Sequence, residues 1–191
     1  MSDELFRNKY RNDTARAKWH DYNGGKYFIT ICTKHREHYF GEISSPIGMR
    51  RATSQSIMHL SEIGRFADDQ FRNVQAHYPY AEIPLWVVMP NHIHAVVIIN
   101  NEKIPYSKRV IPVGTWRAAS LQQYQRHISQ MQGWVSVVIG GIKSSVTRFA
   151  HRHQIPFAWQ SRFHDHIIRN AGEMNRIAKY IENNVSQWSF D

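Results

Sequence analysis

Apolar residues fall in short runs along this chain, and their spacing switches between a period of two and a period near 3.6. Residues 26–33 (Lys-Tyr-Phe-Ile-Thr-Ile-Cys-Thr) are rich in β-branched and aromatic side chains and predict a buried strand. The turn signal Asn23-Gly24-Gly25 precedes them. Residues 39–43 and 57–60 predict two further short strands, joined through 44–56 by a loop with Pro, Gly and two adjacent Arg. Over 61–77, apolar residues recur at Ile63, Ala67, Phe71 and Val74, which is helical spacing, and Ser61 stands where an N-cap belongs. Residues 83–89 and 92–99 predict strands that meet at Pro90-Asn91, as a hairpin or a sharply kinked pair. Residues 135–151 predict a helix with Val138, Ile142, Val146 and Phe149 on one face, weakened at Gly140-Gly141. Segments 157–160 and 163–169 read as extended. The closing helix is expected over 172–184, with Met174, Ile177, Ala178 and Ile181 facing inward.

Strands and helices therefore interleave around hairpin-like pairs. The pattern predicts an α+β fold, a ferredoxin-like antiparallel sheet with helices on one face. A single domain over 1–191 is expected, with a basic N-terminal segment at 1–24 and a long polar loop at 100–131. A loop of that length inside one domain is commonly functional.

Composition narrows the class. With 42% hydrophobic and 20% charged residues the chain can build a core and is not wholly disordered. Its 24 Lys and Arg against 15 Asp and Glu give a net charge of +9, which favours a polyanionic partner. The single cysteine, Cys32, rules out a disulfide within the chain. The polar start lacks the apolar core of a signal peptide, and the apolar run 95–99 is too short to cross a bilayer. The expectation is a soluble, cytoplasmic protein with no membrane partner.

Three features carry candidate chemistry. His92 and His94 flank Ile93, and on a strand side chains two apart share a face, so both imidazoles can reach one metal ion. On spacing alone, two satisfied core histidines explain the pair at least as well. His164-Asp165-His166 repeats the spacing, and His151-Arg152-His153 ends a helix; each reads more simply as a solvated or dipole-complementing group. Tyr180 and Asn184 lie four apart on the last helix, one turn above the other. A phenol there can act as a nucleophile and the amide oxygen can ligate a hard ion, although a half-buried aromatic with an Asn cap fits the same spacing.

The segment Val-Val-Met-Pro-Asn-His-Ile-His resembles the HUH signature of the Y1 transposases, in which two His flank an apolar residue. Further segments resemble the same family in the same order: 27–33, 40–43, 140–147, Trp159-Gln160, 162–169 and Tyr180-Ile181. The ordered set spans roughly residues 20–188 and is most similar to the IS200-like and REP-associated tyrosine transposases. The resemblance implies an HUH-type, RRM-like sheet, His92 and His94 as metal ligands, Tyr180 as nucleophile, and Asn184 as third ligand. Asn183 is the fallback for that ligand, because the Asn-Pro that often follows Tyr-Ile in REP-associated proteins is Asn184-Val185 here.

The implied activity is cleavage and rejoining of single-stranded DNA, beside a hairpin, through a 5′-phosphotyrosine intermediate and a divalent metal, Mg2+ or Mn2+. The protein would act as a monomer or homodimer in a bacterial cytoplasm, associated with the nucleoid. Lys143, Arg148, Arg162 and Arg169 are candidates for phosphate contacts, and Trp116, Tyr124 and Trp134 for base stacking. Lys179, Arg176 or the metal could favour the ionised phenol. Two rival classes stay open: a non-catalytic single-stranded nucleic-acid-binding protein of the same fold, and a metal-dependent hydrolase that activates water.

Overall fold

The period-two segments pair into a four-stranded antiparallel sheet. A computed structural model describes residues 24–44, 56–104 and 133–188. The elements run β1 (Gly25–Cys32), β2 (Gly41–Ser44), β3 (Ile57–Leu60), α1 (Glu62–Arg72), α2 (Val74–His77), β4 (Ala81–Met89), β5 (His92–Ile99), α3 (Trp134–Arg152), β6 (His164–Ile167) and α4 (Ala171–Asn183). The main sheet has the order β4-β5-β1-β6, while β2 and β3 form a separate ribbon. With α1 between β1 and β4, and α3 between β5 and β6, this is the ferredoxin-like split βαβ arrangement expected from the pattern.

The alternation of side chains sorts the sheet into two faces. Tyr27, Ile29 and Ile31 of β1 and Ile93, Ala95, Val97 and Ile99 of β5 enter the main core with Ile63, Ala67 and Phe71 of α1 and Val135, Val138, Ile139 and Ile142 of α3. On the opposite face Phe28, Leu85, Val87, Val96 and Ile98 pack with Ile168 and with Met174, Ile177 and Ile181 of α4. The expectation of helices on one face therefore holds for α1 and α3, and α4 is added across the other. Its apolar stripe at 174, 177 and 181 has nowhere else to be buried.

Local chemistry explains where the elements end. Ser61 caps α1, accepting from Gly64 N at 3.1 Å while its hydroxyl donates to Tyr39 O at 2.7 Å. The helix expected over 61–77 breaks at Asn73, whose side-chain amide donates back to Asp69 O and leaves α2 as a single turn. Met89 pairs with His92, so Pro90-Asn91 closes a two-residue hairpin rather than a kink. The register of β4 shifts between Glu82 and Leu85, where Pro84 cannot donate to the ladder. Gly141 lies under Tyr78: a Cβ there would meet the Tyr78 hydroxyl at 1.7 Å, so the glycine that weakens α3 also lets α2 close against it.

Segment 157–160 contributes only a bridge between Trp159 and Thr33, and the extended stretch 163–169 shortens to β6. Trp134, a stacking candidate, is buried against Tyr80. The basic segment 1–23, the loop from 105 to 132, and Trp116 and Tyr124 lie outside the described residues. Among the described residues no helix is long and apolar enough to cross a membrane.

Ile181 is the fully buried anchor of α4. Ile181→Ala should cost about 3 kcal/mol of stability in chemical denaturation. A loss under about 0.5 kcal/mol, the range of a surface change, would mean that α4 is not held by this face.

Candidate active site

Hydrogen-bond register places His92 and His94 on the α4 face of β5, at the end of the sheet where Cys32 pairs with His92 and Thr30 with His94. Both imidazoles are buried, and their ring centroids are 4.5 Å apart. Each ring is fixed through Nδ1. His92 Nδ1 lies 2.7 Å from Asn91 Oδ1, which can only accept, so His92 carries its proton on Nδ1 and leaves Nε2 with a lone pair. His94 Nδ1 lies 2.9 Å from Thr30 Oγ1. In the matching tautomer His94 Nε2 also has a lone pair.

In that tautomer the Tyr180 hydroxyl donates to this lone pair. Its phenol oxygen lies 3.2 Å from His94 Nε2, within the same chain. Phe28 completes the cluster, stacked on His94 at 5.2 Å and edge-on to Tyr180 at 6.0 Å. Tyr180 is nevertheless 46% exposed; it and Ile57 are the exposed large apolar side chains among the described residues. It sits on the shoulder of α4, beside the buried stripe rather than within it.

Burial sets the electrostatics. It pushes the His92 imidazole down to about 3, with the neighbouring charges of His94 and Arg36 acting in the same direction. His94 is pushed down to about 4, by burial first and Arg36 second. Both rings are therefore neutral near pH 7, the state in which an imidazole can ligate a metal.

Asn184 caps the C-terminus of α4 and is 9% exposed. Past it the chain continues in a helical turn, with Gln187 N donating to Asn183 O at 3.1 Å, and Trp188 stacks on His92 at 6.0 Å. Asn184 lies in sequence between Tyr180, whose ring meets His94, and Trp188, whose ring meets His92. Asn183 instead uses its backbone carbonyl to accept from Gln187 N and Ser186 Oγ. Among the described residues no three His, Cys, Asp or Glu side chains cluster.

The N-terminal end of α4 is pinned to β6. Asn170 caps the helix, accepting from Glu173 N at 2.9 Å. The two oxygens of Glu173 take His166 Nε2 at 2.6 Å and Arg169 N at 2.8 Å. The Arg169 amide first, and then His166, hold this carboxyl below its ordinary range. His164 pairs with Thr30 and shares the row of His94. It stands two strands away, about 10 Å.

The four basic candidates separate. Arg162 precedes β6 at the end of the sheet that carries His92 and His94, whereas Arg169 follows it at the opposite end. Lys143 directs its ammonium to Gln160 O at 2.7 Å and Arg162 O at 3.4 Å, over the ring of Trp159. Burial lowers its proton affinity. Arg148 belongs to α3, on the far side of the sheet, and faces Tyr78 and Gln70. Sequence reasoning did not single out Thr30, Asn91, Arg36 or Trp188 as site residues. Of these, only Asn91 stood beside the His pair in the quoted motif.

No protein-family model matches the chain. It is similar to a REP-associated tyrosine transposase bound to a REP hairpin, at 18% identity and a TM-score of 0.48, covering 93% of this chain and 81% of that one. It is also similar to a proposed transposase of Deinococcus radiodurans, at 13% identity and a TM-score of 0.36, covering 89% and 97%. A protein of Haemophilus influenzae, described as uncharacterized, is 31% identical over 181 residues, 93% of this chain and 90% of its own length. At that identity and coverage, the chain belongs to the same protein family as the Haemophilus influenzae protein.

Proposed function

We propose that this chain is a metal-assisted, single-strand-specific DNA transesterase of the HUH type, a tyrosine transposase of the IS200-like and REP-associated kind. The observation that supports this most is the 3.2 Å contact between the Tyr180 phenol oxygen and His94 Nε2, next to a second, neutral histidine. An exposed phenol held on a buried imidazole is placed to attack a substrate from solvent. Burial of Tyr180 in a core would have favoured a structural role. The open aromatic platform that a binding module of this fold would use for stacking is covered by α4 among the described residues.

The donor set fits a divalent ion, Mg2+ or Mn2+. His92 and His94 would present Nε2, each with Nδ1 already engaged, and Asn184 would add its amide oxygen. Imidazole ligands favour Mn2+ over Mg2+ in affinity. When bound, such an ion withdraws charge from a scissile phosphate and orients it for in-line displacement.

The chain's own residues do the rest. The Tyr180 oxygen attacks phosphorus, the bond from phosphorus to the 3′ oxygen breaks, and a 5′-phosphotyrosine link forms. The phenol loses its proton and the leaving 3′ oxygen gains one, so no oxidant or co-reactant is needed. Attack by an incoming 3′-hydroxyl reverses the step and rejoins the strand. Thr30 and Asn91 hold the rings, and Phe28 limits the swing of Tyr180. A site assembled within one chain needs no second copy. The partner would be single-stranded DNA beside a hairpin, in keeping with the net charge of +9, and the protein would act with the nucleoid in a bacterial cytoplasm.

The Tyr180 hydroxyl occupies the same His94 lone pair that an ion would use. Tyr180→Phe should therefore abolish strand cleavage while binding Mn2+ as well as the wild type or up to about fivefold tighter, the worth of one hydrogen bond near 1 kcal/mol. Gel assays on a hairpin substrate and titration calorimetry measure the two. Cleavage that survives in this variant would contradict the tyrosine mechanism and favour a water nucleophile.

Asn91→Ala frees the His92 ring and should weaken Mn2+ binding about tenfold. An unchanged constant would mean that Asn91 does not orient a ligand.

A further inference from the structure

One charged side chain at the histidine end of the sheet lies outside the donor set. Arg36 lies in the turn Lys34–Arg36 that follows β1. The turn is tied to the residue that orients His92: Thr33 N and Thr33 Oγ1 both donate to Asn91 O, at 2.9 and 3.0 Å. Its other side is tied by Lys34 N to Ala158 O at 2.9 Å. Two residues beyond the turn, His38 meets Trp188 at 5.8 Å, and Trp188 meets His92 at 6.0 Å.

The backbone here is unusual. His35 and Arg36 have φ of 55° and 60°, the left-handed region, in two successive residues that are neither Gly nor Asn. A chain free to choose would place Gly at such positions. Keeping two long side chains on a strained turn is the pattern of residues whose direction matters. Arg36 is exposed and has no ion-pair partner among the described residues, although its charge reaches His92, His94 and Cys32.

A lone guanidinium opposes a dication held on His92 and His94. A phosphodiester removes that opposition, because its oxygens can accept from the guanidinium fork and face the metal together. Resting on the reading above, we infer that Arg36 binds the non-bridging oxygens of the scissile phosphate and completes the metal site only when DNA is present. Arg36 therefore disfavours the ion in the free protein and favours it in the complex, a coupling between cofactor and substrate.

The test uses the full-length wild type, Arg36→Gln and Arg36→Lys. Mn2+ affinity without DNA is measured by titration calorimetry. Covalent-adduct formation is followed on a pool of DNA hairpins with randomised single-stranded flanks. Arg36→Gln should bind free Mn2+ as tightly as the wild type or severalfold tighter, yet form adduct more slowly by on the order of a hundredfold. Arg36→Lys, which keeps a charge but not the fork, should fall between the two.

Weakened Mn2+ binding in folded Arg36→Gln would overturn the inference and make Arg36 a prop for His92. Adduct formation at the wild-type rate would also overturn it. Should Arg36→Gln fail to fold, the lysine variant decides: unaltered Mn2+ affinity with slowed adduct formation supports the inference, and a wild-type rate overturns it. If the wild type itself neither binds Mn2+ nor forms adduct, the transesterase reading fails and this inference falls with it. An active wild type with an indifferent Arg36 removes the inference alone.

Discussion

Burial of the α4 stripe against the second face of the sheet is the contact on which the site depends. Met174, Ile177 and Ile181 cover Phe28, Val96 and their neighbours, and this fixes both the axis and the rotation of the helix. Tyr180 precedes the buried Ile181, so the same rotation turns its ring to the edge of the covered patch, where His94 emerges. The Glu173 carboxylate, shared by His166 and the Arg169 amide, fixes the other end of the helix. The Tyr180 phenol is thus placed by hydrophobic packing and a polar clip at a distance from it, while its own side chain stays exposed.

The second constraint is desolvation. A pair of imidazoles under a helix is neutral because burial penalises its charge, and it is oriented because each Nδ1 has a partner. The result is two nitrogen lone pairs fixed in direction at one end of a rigid sheet. Such a pair can hold a cation or accept from a phenol, and it cannot do both through the same nitrogen. In the structure the phenol of Tyr180 takes that place on His94.

Much of this was legible in the sequence, for identifiable reasons. The β-branched and apolar runs at 26–33 and 92–99 matched their strands within one residue, because β-branched residues on a buried sheet leave little ambiguity. His92 and His94 share a face by parity alone, and Tyr180 sits on α4 as its helical spacing required. The face that α4 covers was not legible: an amphipathic stripe says that a helix is buried and not against what. The break at Asn73 depends on one side-chain hydrogen bond that competes with the helix. Charge alone made Lys143 a candidate for phosphate contact; its carbonyl partners were not legible, since they come from a segment that reaches it only in the fold. Arg36 gave no signal, since a left-handed turn at His35-Arg36 has no propensity signature.

The proposed nucleophile is Tyr180, in a site formed with the His pair of its own chain. The most direct measurement is mass-spectrometric mapping of the covalent product after incubation with hairpin-flanked single-stranded DNA and Mn2+, followed by nuclease and protease digestion. The expected product is a nucleotide attached through a 5′ phosphate to the peptide that contains Tyr180. Strand cleavage with the nucleotide on another residue, or with no protein adduct under conditions that preserve phosphotyrosine, would contradict it.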